Sequence, residues 1–213
     1  ICWQQLNKVL PGFKPAFLAG HSLRECSALH AAGVLSAEDT VAMVIKRGEF
    51  MERECAAHPG GMRAVLGLTI DQLGEMLDKY QGPGVAVVAN HNSEKQVVIS
   101  GDTEGLDQVS YRCKELGAKV IPLKVSVANH SPLVAGAVKD FSAFMETLSF
   151  HAPRLPILFN VMANTESDPS AIHSLMAKQI ASRVRWLEII QHMIAEGVEV
   201  FVELGPKTVL PVL

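Results

Sequence analysis

Residues 13–33 read Phe13-Lys-Pro-Ala-Phe-Leu-Ala-Gly20-His-Ser22-Leu-Arg24-Glu-Cys-Ser-Ala-Leu29-His-Ala-Ala-Gly33. A short apolar stretch from Phe13 to Ala19, interrupted by Pro15, runs into a polar turn. Ala28, Leu29, Ala31 and Ala32 then favour a helix until Gly33 stops it. The order is strand, sharp turn, helix. Gly20-x-Ser22-x-Arg24 comes close to the G-x-S-x-G nucleophile elbow. In such an elbow a small residue two before the serine lets strand and helix cross closely. The hydroxyl is thrust up at the helix N-terminus, where the amide of Leu23 can stabilise an oxyanion. The same pentapeptide also suits a plain N-cap serine, and short motifs recur by chance.

Further along, Ser36-Ala-Glu-Asp39 resembles a capping box with Asp39 in place of the preferred Glu or Gln. It opens a helix that carries Val41, Val44, Ile45 and Met51 near helical spacing. Residues 61–127 read as a unit of their own. A strand over 62–68 leads to a helix over 71–80 with Leu73, Met76 and Leu77 on one face. Strands over 85–90 and 96–100 flank His91-Asn-Ser-Glu-Lys95, a hairpin signal. A helix over 102–116 ends at Gly117, and 119–127 alternates as a last strand. The order βαββαβ predicts a ferredoxin-like subdomain.

Beyond it, 131–148 is an amphipathic helix, 156–162 a strand, and Asp168-Pro169 a strong helix start. A helix over 184–196 ends at Gly197, and 198–204 alternates as a strand up to Gly205-Pro206. Strands alternating with helices on both sides of the insertion predict an α/β body with a parallel sheet. The expected division is therefore 1–60 with 128–213 as the body, and 61–127 as the inserted subdomain.

A chain of 213 residues buries a sizeable core without disulfides or metal. With 48% hydrophobic and 19% charged residues, a largely disordered chain is excluded. Nineteen basic residues against twenty-two acidic ones, with no Lys/Arg cluster, argue against a nucleic-acid surface. No apolar run approaches the ~18–20 residues of a membrane span. Cys2, Cys26, Cys55 and Cys113 lie far apart with no C-x-x-C pair, which argues against a zinc site and suits a reducing, cytoplasmic compartment. The chain opens at Ile1 without a methionine and closes abruptly on Leu213, so a piece of a longer protein is expected.

A nucleophilic serine needs a base. His30 and His192 fall inside expected helices, and His58 and His91 in polar loops. His130 stands between a strand end and a helix start, at the border of the insertion, where catalytic residues collect. A structural role for a single histidine there remains the alternative. Asp102, Asp140 and Asp168 have no placement that marks a triad acid, and Asp168 is explained as a helix cap.

Together these segments carry a family resemblance. Gly20-His-Ser-Leu-Arg-Glu-Cys-Ser-Ala-Leu29 resembles the G-H-S-L-G-E-Y-S-A-L elbow of malonyl-CoA:acyl carrier protein transacylases. Arg47-Gly48-x-x-Met51 is similar to their R-G-x-x-M segment, and Val125-Ser-Val-Ala-Asn-His130-Ser-Pro to the segment with the catalytic histidine. Lys178-Gln179-Ile180, Val184-Arg-Trp186 and Glu203-Leu-Gly-Pro206 follow in the family's order. The resemblance covers essentially the whole chain, and acyltransferase domains of polyketide and fatty-acid synthases share it.

It implies an α/β-hydrolase-like body with the inserted subdomain, no bound cofactor or metal, malonyl-CoA as substrate and acyl carrier protein as partner. Transfer would be ping-pong, with Ser22 attacking the thioester and His130 acting as base, then acid. The backbone carbonyl of Gln179 would orient His130 in place of an Asp. Arg47 would pair with the free carboxylate of malonate, where a bidentate fork fits best; on spacing alone it reads as a helix-surface arginine. His21 and Asn160 match positions lining the pocket.

Three departures qualify the match. Arg24 stands where the family keeps a glycine, so its cation should strain the elbow or swing into the cleft. The family's G-Q-G-S-Q segment, whose glutamine supplies an oxyanion amide, is not in this sequence. Asn129, not Phe, precedes His130. The expected activity is malonyl transfer in fatty-acid biosynthesis. The alternatives are a polyketide-synthase or trans-acting acyltransferase with another extender unit, an α/β-hydrolase-type thioesterase, and a non-catalytic scaffold.

Overall fold

In the computed structural model, which describes residues 2–205, helix α1 (Cys2–Val9) leads into strand β1 (Leu18–Ala19). Only two residues of the expected strand pair, because Pro15 has no N–H to give a ladder. β1 lies parallel to β6 (Ile157–Leu158), with Leu18 opposite Ile157 and Ala19 opposite Leu158. Helix α2 (Arg24–Ala31) leaves the end of β1 through the elbow. Helix α3 (Ala37–Ala57) starts where the Ser36 hydroxyl accepts the Asp39 amide at 2.9 Å.

The buried face of α3 carries Met43, Arg47, Met51 and Glu54, one row at i, i+4 and i+3 steps. Val41 and Ile45 belong to the opposite face and are 58% and 55% exposed, which corrects the expected apolar stripe. Helix α6 (Gly136–Met145) and helix α7 (Pro169–Gln179) complete the body. Leu29, Met43, Phe141, Met145, Phe159, Ile172 and Met176 interlock among them and β6 as one core.

The inserted segment builds strand β2 (Gly61–Leu66), helix α4 (Ile70–Asp78), strand β3 (Ala86–Ser93), strand β4 (Gln96–Gly101), helix α5 (Thr103–Glu115) and strand β5 (Lys119–Pro122). The strands form an antiparallel sheet in the order β3-β4-β2-β5. Leu73 from α4 and Leu106, Val109 and Cys113 from α5 pack on Val65, Val97 and Ile99 of the sheet. Both helices are capped: Thr69 and Gln72 form a reciprocal capping box, and Asp102 accepts the Gly105 amide at 2.8 Å.

Several expected boundaries move for physical reasons. β3 continues through His91 to Ser93, with register shifts at Val88/Asn90 and His91/Ser93. His91 is therefore a buried strand residue, not a loop residue. β5 ends at Pro122, which cannot donate to the ladder; Leu123 N still donates to Met62 O of β2 at 2.9 Å, and residues 124–127 form no strand. The expected helix over 131–148 opens as a 3-10 turn, Pro132–Val134, before α6. Residues 198–204 alternate in sequence yet form no strand. Alternation reports side-chain facing and not the presence of a partner. Pro206 lies outside the described residues.

The far end of β3 joins the insertion to the body. His91 N donates to Val184 O at 2.9 Å and Val184 N to Ala89 O at 2.8 Å, so helix α8 (Trp186–Ala195) starts only after that bridge. His91 Nδ1 also lies 3.1 Å from Glu188 Oε2 on α8. The architecture is α/β, with one parallel and one antiparallel sheet and eight α-helices among the described residues. None of these helices is long and apolar enough to cross a membrane.

Candidate active site

At Gly20 a Cβ would drive into the backbone of Arg24 and Glu25, so the strand–helix crossing requires glycine there. Two residues on, Ser22 adopts φ +52°, left-handed for a residue with a side chain. It does not cap α2, whose N-cap is Leu23. Three hydrogen bonds hold this conformation. Ser22 N donates to Asn160 Oδ1 at 2.7 Å, Asn160 Nδ2 to Gly20 O at 2.8 Å, and Gln179 Nε2 to Ser22 O at 2.8 Å.

Ser22 Oγ lies 2.7 Å from His130 Nε2. His130 sits at φ +60°, with its amide donating to Ile180 O at 2.9 Å. Its Nδ1 faces two carbonyls, Gln179 O at 3.0 Å and Ser182 O at 2.9 Å. Carbonyls only accept, so Nδ1 carries the proton and Nε2 is left to accept from the serine hydroxyl. Burial and the nearby Arg47 cation push the His130 pKa down to about 3, so the ring is neutral at pH 7. Such a hydroxyl–imidazole pair can lose its proton as the oxygen attacks a carbonyl carbon. The Leu23 amide, in the first turn beyond Ser22, meets no acceptor among the described residues.

Arg47 is 7% exposed, which overturns its reading as a helix-surface residue. It belongs to the buried row of α3, a placement that apolar spacing could not reveal. Its Nη2 lies 3.4 Å from Ser22 Oγ and 3.3 Å from Gln179 Oε1, while its buried Nε has no partner. A buried guanidinium with an unspent donor so close to a hydroxyl can hold an anion.

His21 is half-buried and packs edge-on against Trp186 at 5.5 Å. Its Nε2 lies 2.8 Å from Asn92 Oδ1 and 3.3 Å from Asn90 Nδ2, both on β3, and burial lowers its pKa. Asn160 does not line a pocket as expected. It is fully buried, and both ends of its side-chain amide are spent on the elbow. Arg24 neither strains the elbow nor enters the cleft; its Nη1 reaches out to Glu203 Oε1 at 2.6 Å. The close approach is at Gly20, to the backbone of residue 24, not to its side chain.

Sequence reasoning missed Glu25, Asn90 and Asn92. Glu25 is buried in the first turn of α2, and its Oε1 accepts the Asn160 amide at 2.7 Å. Its sequence signals were its match to the glutamate of the family's elbow and a charge on the apolar face shared with Cys26, Ala28 and Leu29. Among the described residues no group of three His, Cys, Asp or Glu side chains could hold a metal ion.

Comparison with known proteins gives a consistent result. The chain is 36% identical over 209 residues to the malonyl CoA-acyl carrier protein transacylase of Salmonella typhimurium, covering 98% of this chain and 66% of that protein. It is 41% identical over 201 residues to the protein of the same name from Bacillus subtilis, covering 93% of this chain and 63% of that one. The crystal structure of FabD from Acinetobacter baumannii superposes with a TM-score of 0.93 at 36% identity, covering 98% of this chain and 67% of that one. The chain thus spans just under two thirds of the first two relatives' length. Residues 9–212 match the family described as "Acyl transferase domain". By that match and by its elbow, the chain belongs to the acyl transferase domain family.

Proposed function

We propose that this chain carries the catalytic centre for moving a malonyl group from coenzyme A to acyl carrier protein in fatty-acid synthesis. The observation that carries the reading is Arg47: a buried cation with an unpartnered Nε, its Nη2 3.4 Å from the Ser22 hydroxyl. It fits an acyl group that ends in a carboxylate. The relatives' shared name, malonyl CoA-acyl carrier protein transacylase, supports the same substrate and acceptor.

In the first half-reaction Ser22 Oγ attacks the thioester carbonyl carbon and its proton passes to His130 Nε2. The oxyanion is held by the Leu23 amide. Collapse breaks the C–S bond, and the coenzyme A thiolate takes the proton back from His130. In the second half the phosphopantetheine thiol of the carrier gives its proton to His130 and attacks the acyl-serine. Ser22 Oγ then leaves and recovers that proton. The Gln179 carbonyl holds the histidine, Arg47 the malonyl carboxylate, and His21 ties the elbow to β3.

Residues 1–60 and 128–213 read as an α/β-hydrolase-like body and 61–127 as a ferredoxin-like subdomain; the sheet order β3-β4-β2-β5 supports the second description. Four cysteines without a disulfide suit a cytoplasmic setting.

Arg47 variants test the substrate. Arg47→Ala is expected to lower malonyl transfer by roughly 10²-fold while acetyl transfer is spared, since only malonyl has a carboxylate to lose. Arg47→Lys should also be poor, because a point charge cannot replace a fork. Equal losses with malonyl-CoA and acetyl-CoA would make Arg47 structural.

A further inference from the structure

Glu25 stands behind the nucleophile, 1% exposed in the first turn of α2. Its Oε1 accepts the backbone N–H of Asn160 at 2.7 Å, and its Oε2 is buried without a partner. Asn160 then grips Ser22 N through Oδ1 at 2.7 Å and Gly20 O through Nδ2 at 2.8 Å. A continuous run of hydrogen bonds therefore leads from Glu25, through Asn160, to the backbone on the N-terminal side of the serine. Ser22 at φ +52° needs this support, because a left-handed residue with a side chain persists only where its surroundings over-determine it.

We propose that Glu25 is a positioning residue for acyl transfer: its carboxyl fixes Asn160, and Asn160 fixes the backbone that leads into Ser22, from the Gly20 carbonyl to the Ser22 amide. This rests on the reading of Ser22 as the nucleophile. The groups facing Glu25 are Arg47 from α3, the Gln179 amide from α7 and the Cys26 thiol on its own helix. Burial pushes the Glu25 pKa up to about 8, so at pH 7 it is a neutral acid. A neutral acid accepts the Asn160 amide without forming an ion pair with Arg47, which leaves that cation to an incoming carboxylate.

The test compares Glu25→Ala, Glu25→Met and Glu25→Gln with the parent at pH 7. Two quantities are read: amide hydrogen exchange at Ser22 by NMR, and the acylation burst with malonyl-CoA. Met fills the buried site without an acceptor, so it stands in for Ala should Ala fail to fold; Gln restores the acceptor. Loss of the acceptor should speed exchange at Ser22 by about tenfold or more. It should also slow acylation by up to ~10²-fold, the effect of a small misplacement, with KM little changed. Glu25→Gln should return both to near the parent. Parent-like protection of the Ser22 amide in the folded Ala or Met variant overturns the proposal, as does a Glu25→Gln variant no better than Met. A parent that never acylates defeats the reading of Ser22, while the exchange data still decide the role of Glu25.

Discussion

His130 is held by two carbonyls and no carboxylate, so nothing at Nδ1 stabilises an imidazolium by charge, and Arg47 opposes one. Its depressed pKa, about 3 against an ordinary 6.5, makes the base available well into acid. The acylation rate should therefore keep its plateau below pH 6.5, and an acid limb centred near 6.5 would contradict the geometry. His130→Ala should slow both half-reactions by ~10²–10⁴-fold. Unchanged rates to coenzyme A and carrier would assign the base elsewhere. Glu25 shifts the other way: folded, it keeps its proton up to about pH 8, whereas its ordinary value is 4.5. Between those values the folded state binds the extra proton. The stability Glu25 contributes is thus full below pH 4.5 and is lost as pH rises toward 8. Glu25→Gln removes that slope, so its unfolding free energy should gain on the parent's across this window, by up to ~1.4 kcal/mol per pH unit. A difference that stays constant with pH would show Glu25 already ionised. That Ser22 and His130 would face each other was legible, because strained turns and loop borders leave marks in sequence. Asn160 was assigned to a pocket because a motif position gives a neighbourhood and not the direction of an amide.

Among the elements, the elbow places its steric demand on one residue. Gly20→Ala forces a Cβ into the backbone of Arg24 and Glu25, a clash that no side-chain rotation relieves. It should cost ~3 kcal/mol or more in stability and abolish acylation together with it. Arg24→Gly is expected to be mild. Arg24 points outward to Glu203 with its side chain one-third exposed, and pairs of that kind contribute ~0–1 kcal/mol. A large gain in both stability and acylation rate in Arg24→Gly would restore the steric account that the sequence suggested. Helix starts were legible to within a residue or two at Ser36, Thr69, Asp102 and Asp168, since each cap is a local side chain-to-backbone bond. Strand lengths were not. Residues 119–127 and 198–204 alternate alike, but a strand ends where its neighbour or its N–H donors end, and neither is written in the periodicity.

At the scale of the molecule, the antiparallel sheet meets the elements around it where the elbow is. The β3 backbone bonds Val184, His91 faces Glu188, and His21 reaches Asn92, so one end of the small sheet borders the Ser22–His130 pair. The βαββαβ order of elements over 61–122 was legible in sequence. Their docking was not, because His91 and Asn92 looked like a polar hairpin loop until the strand was seen to run through them. The thioesterase alternative gave way to the family match and to a dyad with carbonyls in place of a triad acid. The central claim, that Ser22 carries the acyl group, is open to one direct measurement. Parent and Ser22→Ala proteins are mixed with malonyl-CoA, and intact mass and peptide mapping locate the adduct. The account predicts one malonyl group on the peptide containing Ser22 in the parent and none in Ser22→Ala. An adduct on a cysteine, or one undiminished in Ser22→Ala, would contradict it.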